Sequence, residues 1–200
     1  MKDYGTGSTA AVTISEYYKL SRKIAEYSPN FSADKSHGTL TEYYPSGSVK
    51  TQTDALRNTI KYEYGYLNKL TTTYTPFNGK EKYSITENQY DKNGNIVLTR
   101  QTVQKQDSDK AQYSITQNKY NAMGLLEQVT LSGTGSKDKN ISKYFYNNAG
   151  VQIKMYTGMS SENDTSYLTT NYEYDNWLRA VRNTVTTHRL LKKALYKVPL

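Results

Sequence analysis

The chain has 200 residues, with 26 Lys and Arg against 18 Asp and Glu, a formal net charge of +8 and no cysteine. The missing cysteine excludes a disulfide framework, thiolate catalysis and Cys-based zinc sites. A hydrophobic content of 36% and a mean hydropathy of −0.84 leave little material for a thick core and favour a thin sheet or an elongated solenoid over a compact sandwich. Tyrosine dominates the aromatic residues, 21 Tyr against 3 Phe and 1 Trp, and suits a half-exposed sheet because it buries a ring while its hydroxyl stays wet. No apolar run approaches the roughly 18 residues of a membrane span, so no transmembrane segment is expected. Met1-Lys2-Asp3 does not open a signal peptide, which leaves a cytoplasmic chain or one whose signal lies outside this sequence.

Self-similarity organises the rest of the chain. Its clearest pair is Tyr83-Ser-Ile-Thr-Glu-Asn-Gln-Tyr90 and Tyr113-Ser-Ile-Thr-Gln-Asn-Lys-Tyr120, which agree at six of eight positions. Each is followed four residues later by glycine, Gly94 or Gly124. In chain order the copies are Glu16-Tyr17-Tyr18, Glu42-Tyr43-Tyr44-Pro-Ser-Gly47, Tyr62-Glu-Tyr64, the segments ending at Tyr90 and Tyr120, Tyr144-Phe-Tyr146-Asn-Asn-Ala-Gly150, and Tyr172-Glu-Tyr174-Asp-Asn-Trp177. Their last tyrosines, at 18, 44, 64, 90, 120, 146 and 174, are spaced by 26, 20, 26, 30, 26 and 28 residues. An aliphatic residue follows each one: Ile24, Val49, Leu70, Ile96, Leu126, Ile153 and Val181.

Each copy reads as a strand, a tight turn and a return strand. In the turn Asp91, Asn121 and Asn147 bond back to the backbone, while Gly47, Gly94, Gly124 and Gly150 accept positive φ. Among the return strands, Val151, Ile153 and Met155 alternate with Gln152, Lys154 and Tyr156, and Leu125, Val129 and Leu131 form a second set broken at Glu127. Polar stretches at 105–112, 132–140 and 158–166 read as longer hairpin tips on the opposite edge. Residues 13–27 also fit a helical stripe of Tyr17, Leu20, Ile24 and Tyr27 behind a Thr13–Glu16 capping box, but the repeat favours strand. Residues 187–200 form a basic cap, a short helix or a last strand. The expected fold is therefore all-β: one repeat domain over 1–200, an antiparallel up-and-down meander of about seven hairpins in an elongated single sheet or a partly curled β-solenoid.

These residues resemble the YD-repeat, or Rhs-repeat, family, whose pattern is close to Tyr-x-Tyr-Asp-x-x-Gly-x-Leu. Gln89-Tyr90-Asp91-Lys92-Asn93-Gly94-Asn95-Ile96 and Tyr172-Glu-Tyr174-Asp175 show it best, and it covers roughly residues 60–186. Gly38-Thr-Leu-Thr-Glu-Tyr-Tyr-Pro-Ser-Gly47 looks more like a MORN-type hairpin. The resemblance implies a sheet scaffold in a secreted or envelope setting, usually bacterial, and larger members enclose a toxin domain. This chain has no recognisable toxin segment or self-cleavage motif, and glycine is missing from the copies at Tyr18, Tyr64 and Tyr174.

Chemistry-bearing motifs are sparse. The two histidines, His37 and His188, sit in no nucleophile, metal or acid-base motif, so no enzyme, cofactor or metal is expected. Ser132-Gly-Thr-Gly-Ser-Lys137 lacks the spacing of a phosphate loop, and Asp91-x-Asn93-Gly94-Asn95 lacks the later Glu of a calcium loop. The candidate binding residues are the ladder Tyr64, Tyr90, Tyr120, Tyr146 and Tyr174 with Trp177, which either stack on a protein or carbohydrate surface or pair across strands to hold the sheet. Arg179, Arg182, His188, Arg189, Lys192, Lys193 and Lys197, near Trp177 and Tyr196, form either a polyanion site or a solvated cap. Lysines and acids are interspersed elsewhere, so nucleic acid is the less favoured partner. The open edges of a meander can also take a second copy.

Overall fold

The computed structural model describes residues 12–29, 35, 37–77, 82–103 and 112–188. Fourteen strands follow one another in a single sheet, each antiparallel to the next, and every strand neighbours the one before it in sequence. They are β1 (Ile14–Tyr18), β2 (Arg22–Tyr27), β3 (Gly38–Tyr43), β4 (Val49–Thr53), β5 (Thr59–Tyr64), β6 (Leu70–Phe77), β7 (Lys82–Tyr90), β8 (Ile96–Val103), β9 (Gln112–Tyr120), β10 (Leu126–Gly133), β11 (Lys139–Tyr146), β12 (Gln152–Met159), β13 (Tyr167–Tyr174) and β14 (Ala180–His188). This is the all-β meander that the repeat implied, and taken in pairs its strands are the seven hairpins. Residues 13–27 are a hairpin rather than a helix. The chain divides into two compact units, Met1–Glu87 and Asn88–Leu200. Of the C-terminal cap, Arg189, Lys192, Lys193, Tyr196 and Lys197 lie outside the described residues, as do most of the tip at 105–112.

One turn joins most hairpins. Tyr44, Gly65, Asp91, Asn121, Asn147 and Asp175 each donate the backbone N–H to the carbonyl four residues on and accept the N–H of the residue three on, at 2.8–3.2 Å. The fourth residue of this five-residue loop lies in the left-handed region whether or not it is glycine: Gly47 (φ 95), Asn68 (57), Gly94 (86), Gly124 (76), Gly150 (77) and Leu178 (60). Oδ1 of Asp91, Asn121, Asn147 and Asp175 accepts two further backbone N–H groups at 2.9–3.0 Å, so the side chain replaces water on the inside of the loop. Asp54–Asn58 builds the same loop between β4 and β5, at the opposite end of the sheet, with Arg57 in the left-handed position.

This turn corrects the repeat register in the first two copies. The turn after β3 begins at Tyr44, so the residue equivalent to Tyr64 or Tyr90 is Tyr43, not Tyr44; in β1 it is Tyr17, not Tyr18. Tyr44 lies beyond the end of β3, in the turn, where its hydroxyl donates to the Tyr62 carbonyl at 3.0 Å.

A β-bulge follows at a fixed offset. In β3–β4, β5–β6, β9–β10, β11–β12 and β13–β14 the return strand has one extra residue, Lys50, Thr71, Glu127, Ile153 or Val181, six positions after the turn begins. The bulge shifts which side chains share a face. Glu127, the break in the expected Leu125, Val129, Leu131 set, is the bulged residue. Beyond it Gln128 and Thr130 are the buried pair, whereas Leu131 is 46% exposed. Likewise Gln152 stands opposite Tyr146 while Lys154 stands opposite Phe145, so Gln152 does not share a face with Lys154 and Tyr156 as strict alternation predicted.

The core is thin, as the composition required. Ala25 and Tyr27 are buried in the first unit, where the Tyr27 ring fills the space a side chain at Gly38 would need. In the second unit Ile141 and Met159 are buried opposite each other, beside Gln128, Thr130 and Thr169.

Candidate functional site

Four tyrosines at the ladder position act as staples. Tyr43 Oη donates to the Lys23 carbonyl at 2.9 Å, Tyr120 to Ile96 at 3.0 Å, Tyr146 to Leu126 at 2.7 Å and Tyr174 to Gln152 at 2.8 Å. In every case the acceptor lies five positions after the residue that begins the preceding hairpin's turn. The hydroxyl fastens one hairpin to the one before. Tyr90 and Tyr64 hold the same position, both half-buried. Tyr64 meets Tyr44 edge-on at 6.0 Å. Burial pushes the Tyr64 and Tyr146 phenols above their ordinary pKa. Asp91, Gly94, Gly124, Gly150 and Gly47 occupy the turn positions described above.

Trp177 stands apart from the ladder. It lies in the last turn, 76% exposed, with the Arg179 guanidinium 5.0 Å from its ring. That guanidinium also donates from Nε to Asp175 Oδ2 at 2.6 Å. The turn therefore already uses Arg179, the first cation of the expected basic cluster.

The middle residue of Tyr-x-Tyr points to the other face, where a second arrangement appears in β11–β14. Phe145, Tyr156, Tyr167 and His188, one from each strand, run diagonally across the sheet with ring centroids 4.7, 4.4 and 5.1 Å apart. The Lys154 ammonium lies 5.9 Å from both Phe145 and Tyr156. Beside this strip the tip at 160–166 folds back onto the sheet. Glu162 Oε1 accepts from Lys119 Nζ at 2.7 Å and Gln128 Nε2 at 3.2 Å, and its carbonyl accepts from Lys143 Nζ at 3.1 Å. Asp164 ties the loop to itself, taking the Ser160 N–H and Oγ at 2.8 and 2.6 Å and the Ser166 N–H at 2.8 Å. The Ser160 hydroxyl and these amides hold the Asp164 carboxyl down at about 2. The Lys119 ammonium lowers Glu162 in the same direction.

No protein-family model matches the chain, and no curated protein matches it. Solved structures do. A Photorhabdus luminescens Tc holotoxin pore with a mutated TccC3 matches with a TM-score of 0.59 at 13% identity, over 84% of this chain and 10% of that one. TcdB2-TccC3 without its hypervariable C-terminal region matches with a TM-score of 0.52 at 14% identity, over 86% and 10%. The fold is Rhs-like. The chain spans about a tenth of the length of those proteins.

Within this Rhs-like sheet, sequence reasoning named one face and missed the other. The ladder tyrosines announce themselves by recurrence. Phe145, Tyr156, Tyr167, Gln128 and Glu162 do not recur, and the signal that could have found them was the bulge at Glu127 and Ile153, after which the alternation changes face.

Proposed function

We propose that this chain is a non-enzymatic structural and binding module of a bacterial secreted or envelope-associated protein, whose Tyr-rich sheet presents a surface for protein or glycan contact. The ladder tyrosines serve the scaffold, and the contact surface is the opposite face. The supporting observation is the Phe145–Tyr156–Tyr167–His188 strip, a row of aromatic side chains on the face that the staples leave to other uses. Aromatic rings offer large contact area at small entropic cost.

Binding to a glycan array and to duplex DNA, measured at low and high salt, tests this reading. Salt-resistant binding that is lost in Tyr156→Ala/Tyr167→Ala, with the fold intact, supports it. Binding that falls steeply with salt and extends to DNA overturns it in favour of a cationic polyanion binder. A second reading, a segment of a toxin-delivery shell, is supported by the likeness to Tc toxin chains that are far longer. It requires the natural gene to continue well beyond these residues into further repeats, and a reading frame confined to this stretch at both ends rules it out.

A further inference from the structure

We propose that the turn end of the first unit docks on an anionic lipid surface, with Leu20 and Leu67 entering the acyl boundary and Lys19 and Lys69 meeting phosphate headgroups. This goes beyond the module reading above and uses other residues.

The turns after β1, β3 and β5 lie at one end of the sheet, since each joins an odd-numbered strand to the next in an antiparallel meander. Two of them set leucine where the backbone favours glycine. Leu20 (φ 63) and Ser21 (φ 56) are left-handed in the turn 18–22, and Leu67 (φ 54) and Asn68 (φ 57) are so in the turn 65–69. A bulky side chain in this region crowds its own backbone. Packing within the chain does not offset that strain, because Leu20 is 82% and Leu67 74% exposed. Each leucine is therefore unfavourable twice over in the isolated molecule, in backbone conformation and in hydration, and strain of this kind points to a contact outside it. Tyr18 and Tyr66 are exposed beside them, and tyrosine is the side chain that settles at the level of lipid headgroups.

The charge has the matching sign. Residues 18–22, 44–48 and 65–69 include Lys19, Arg22 and Lys69 and no Asp or Glu. Arg22 packs against the Tyr43 ring, so Lys19 and Lys69 are the pair assigned to headgroups. The acids that precede these turns, Glu16, Glu42 and Glu63, lie back in β1, β3 and β5, and the first two are paired with Lys35 and Lys50. The last turn of the second unit also exposes Trp177 and Leu178, but there Arg179 is bonded to Asp175 and no surplus charge results.

Spacing favours a membrane over a protein. Leu20 and Leu67 stand on turns four strand spacings apart, about 19 Å, with Pro45, Ser46 and Gly47 of the middle turn between them. A protein interface desolvates a contiguous centre. Separate apolar tips with tyrosine and lysine alongside match the interfacial layer of an anionic bilayer instead.

Flotation of the full chain with vesicles of phosphatidylglycerol and phosphatidylcholine, against phosphatidylcholine alone, tests the assignment. The chain binds the mixed vesicles about tenfold more tightly, the order that two lysines near a charged surface supply. Leu20→Gly/Leu67→Gly relieves the backbone and removes both side chains, so its melting temperature holds or rises while its vesicle affinity falls about tenfold or more. Lys19→Gln/Lys69→Gln erases the preference for phosphatidylglycerol. Leu56, just as exposed but at the opposite end of this unit and beside Asp54, is the control, and Leu56→Ser leaves vesicle affinity unchanged. Failure to bind the mixed vesicles overturns the proposal, and so does equal binding to phosphatidylcholine alone, by the glycine variant, or an equal loss in Leu56→Ser. A lower melting temperature in the glycine variant also overturns it, by showing that the leucines hold the fold. Self-association that the glycine variant loses, in a chain that ignores vesicles, overturns it in favour of a protein interface.

Discussion

A loop whose fourth residue must sit at positive φ discriminates sharply among side chains. Gly124 (φ 76) has nothing within 4 Å of where a Cβ would stand, so Gly124→Ala meets backbone strain alone, about 1 kcal/mol. Gly47 (φ 95) also lies under the Arg22 guanidinium, 2.8 Å from the same position. A methyl there displaces Arg22, which packs 5.7 Å from the Tyr43 ring. Gly47→Ala therefore costs about 0.5 kcal/mol more than Gly124→Ala, and the excess disappears in an Arg22→Ala background; a double-mutant cycle by urea denaturation measures it. Leu178, 56% exposed at φ 60, is the reverse case. Leu178→Gly raises stability by about 0.5 kcal/mol, the relieved strain less the extra freedom of glycine in the unfolded chain. A lower melting temperature for this variant would show that Leu178 contributes contacts outweighing its backbone strain.

Hairpins are joined by hydroxyls and covered by tips, and both can be removed singly. Tyr146→Phe deletes the 2.7 Å bond to the Leu126 carbonyl at a half-buried site and costs about 1 kcal/mol, while Tyr66→Phe, at a residue 88% exposed, costs nothing measurable. Equal stability of the two variants would reduce the ladder to ring packing. The tip at 160–166 depends on pH through carboxylates whose folded pKa values lie below their unfolded ones. Its order is thus fully present above the unfolded carboxylate pKa of about 4, and it is lost as pH falls through the folded value of about 2 at Asp164. The amide resonances of Ser160 and Ser166, both bonded to Asp164, should move together with a midpoint near 2. Resonances that stay fixed until global unfolding would show that the loop is held by Glu162 and its lysines instead.

Across the molecule, strands pair only with their neighbours in sequence, so stability is close to a sum of hairpins and the contacts between them. Ile141 is among the few buried hydrophobic residues, 2% exposed in β11. Ile141→Ala should cost about 2–4 kcal/mol locally and remove amide-exchange protection from β10–β13, while β3–β6 keep theirs. Uniform loss of protection over the whole chain would mean one cooperative unit.

Strands, turns and the number of hairpins were legible because each is a local affair: alternation, an Asx side chain reaching two and four residues ahead, a residue at positive φ. The turn even persists where its glycine is absent, at Asn68 and Leu178, since the loop's hydrogen bonds and not the glycine define it. What spacing could not reveal depends on contacts between distant residues. Whether Tyr43 or Tyr44 joined the ladder was settled by the Lys23 carbonyl, 20 residues away. Gln128 and Thr130 are buried, and Leu131 is not, because a bulge turned the strand over. The polar tip lies beside the aromatic strip because Glu162 reaches Gln128, 34 residues distant. Local periodicity carries no record of such a contact, since only the folded sheet brings the two residues together.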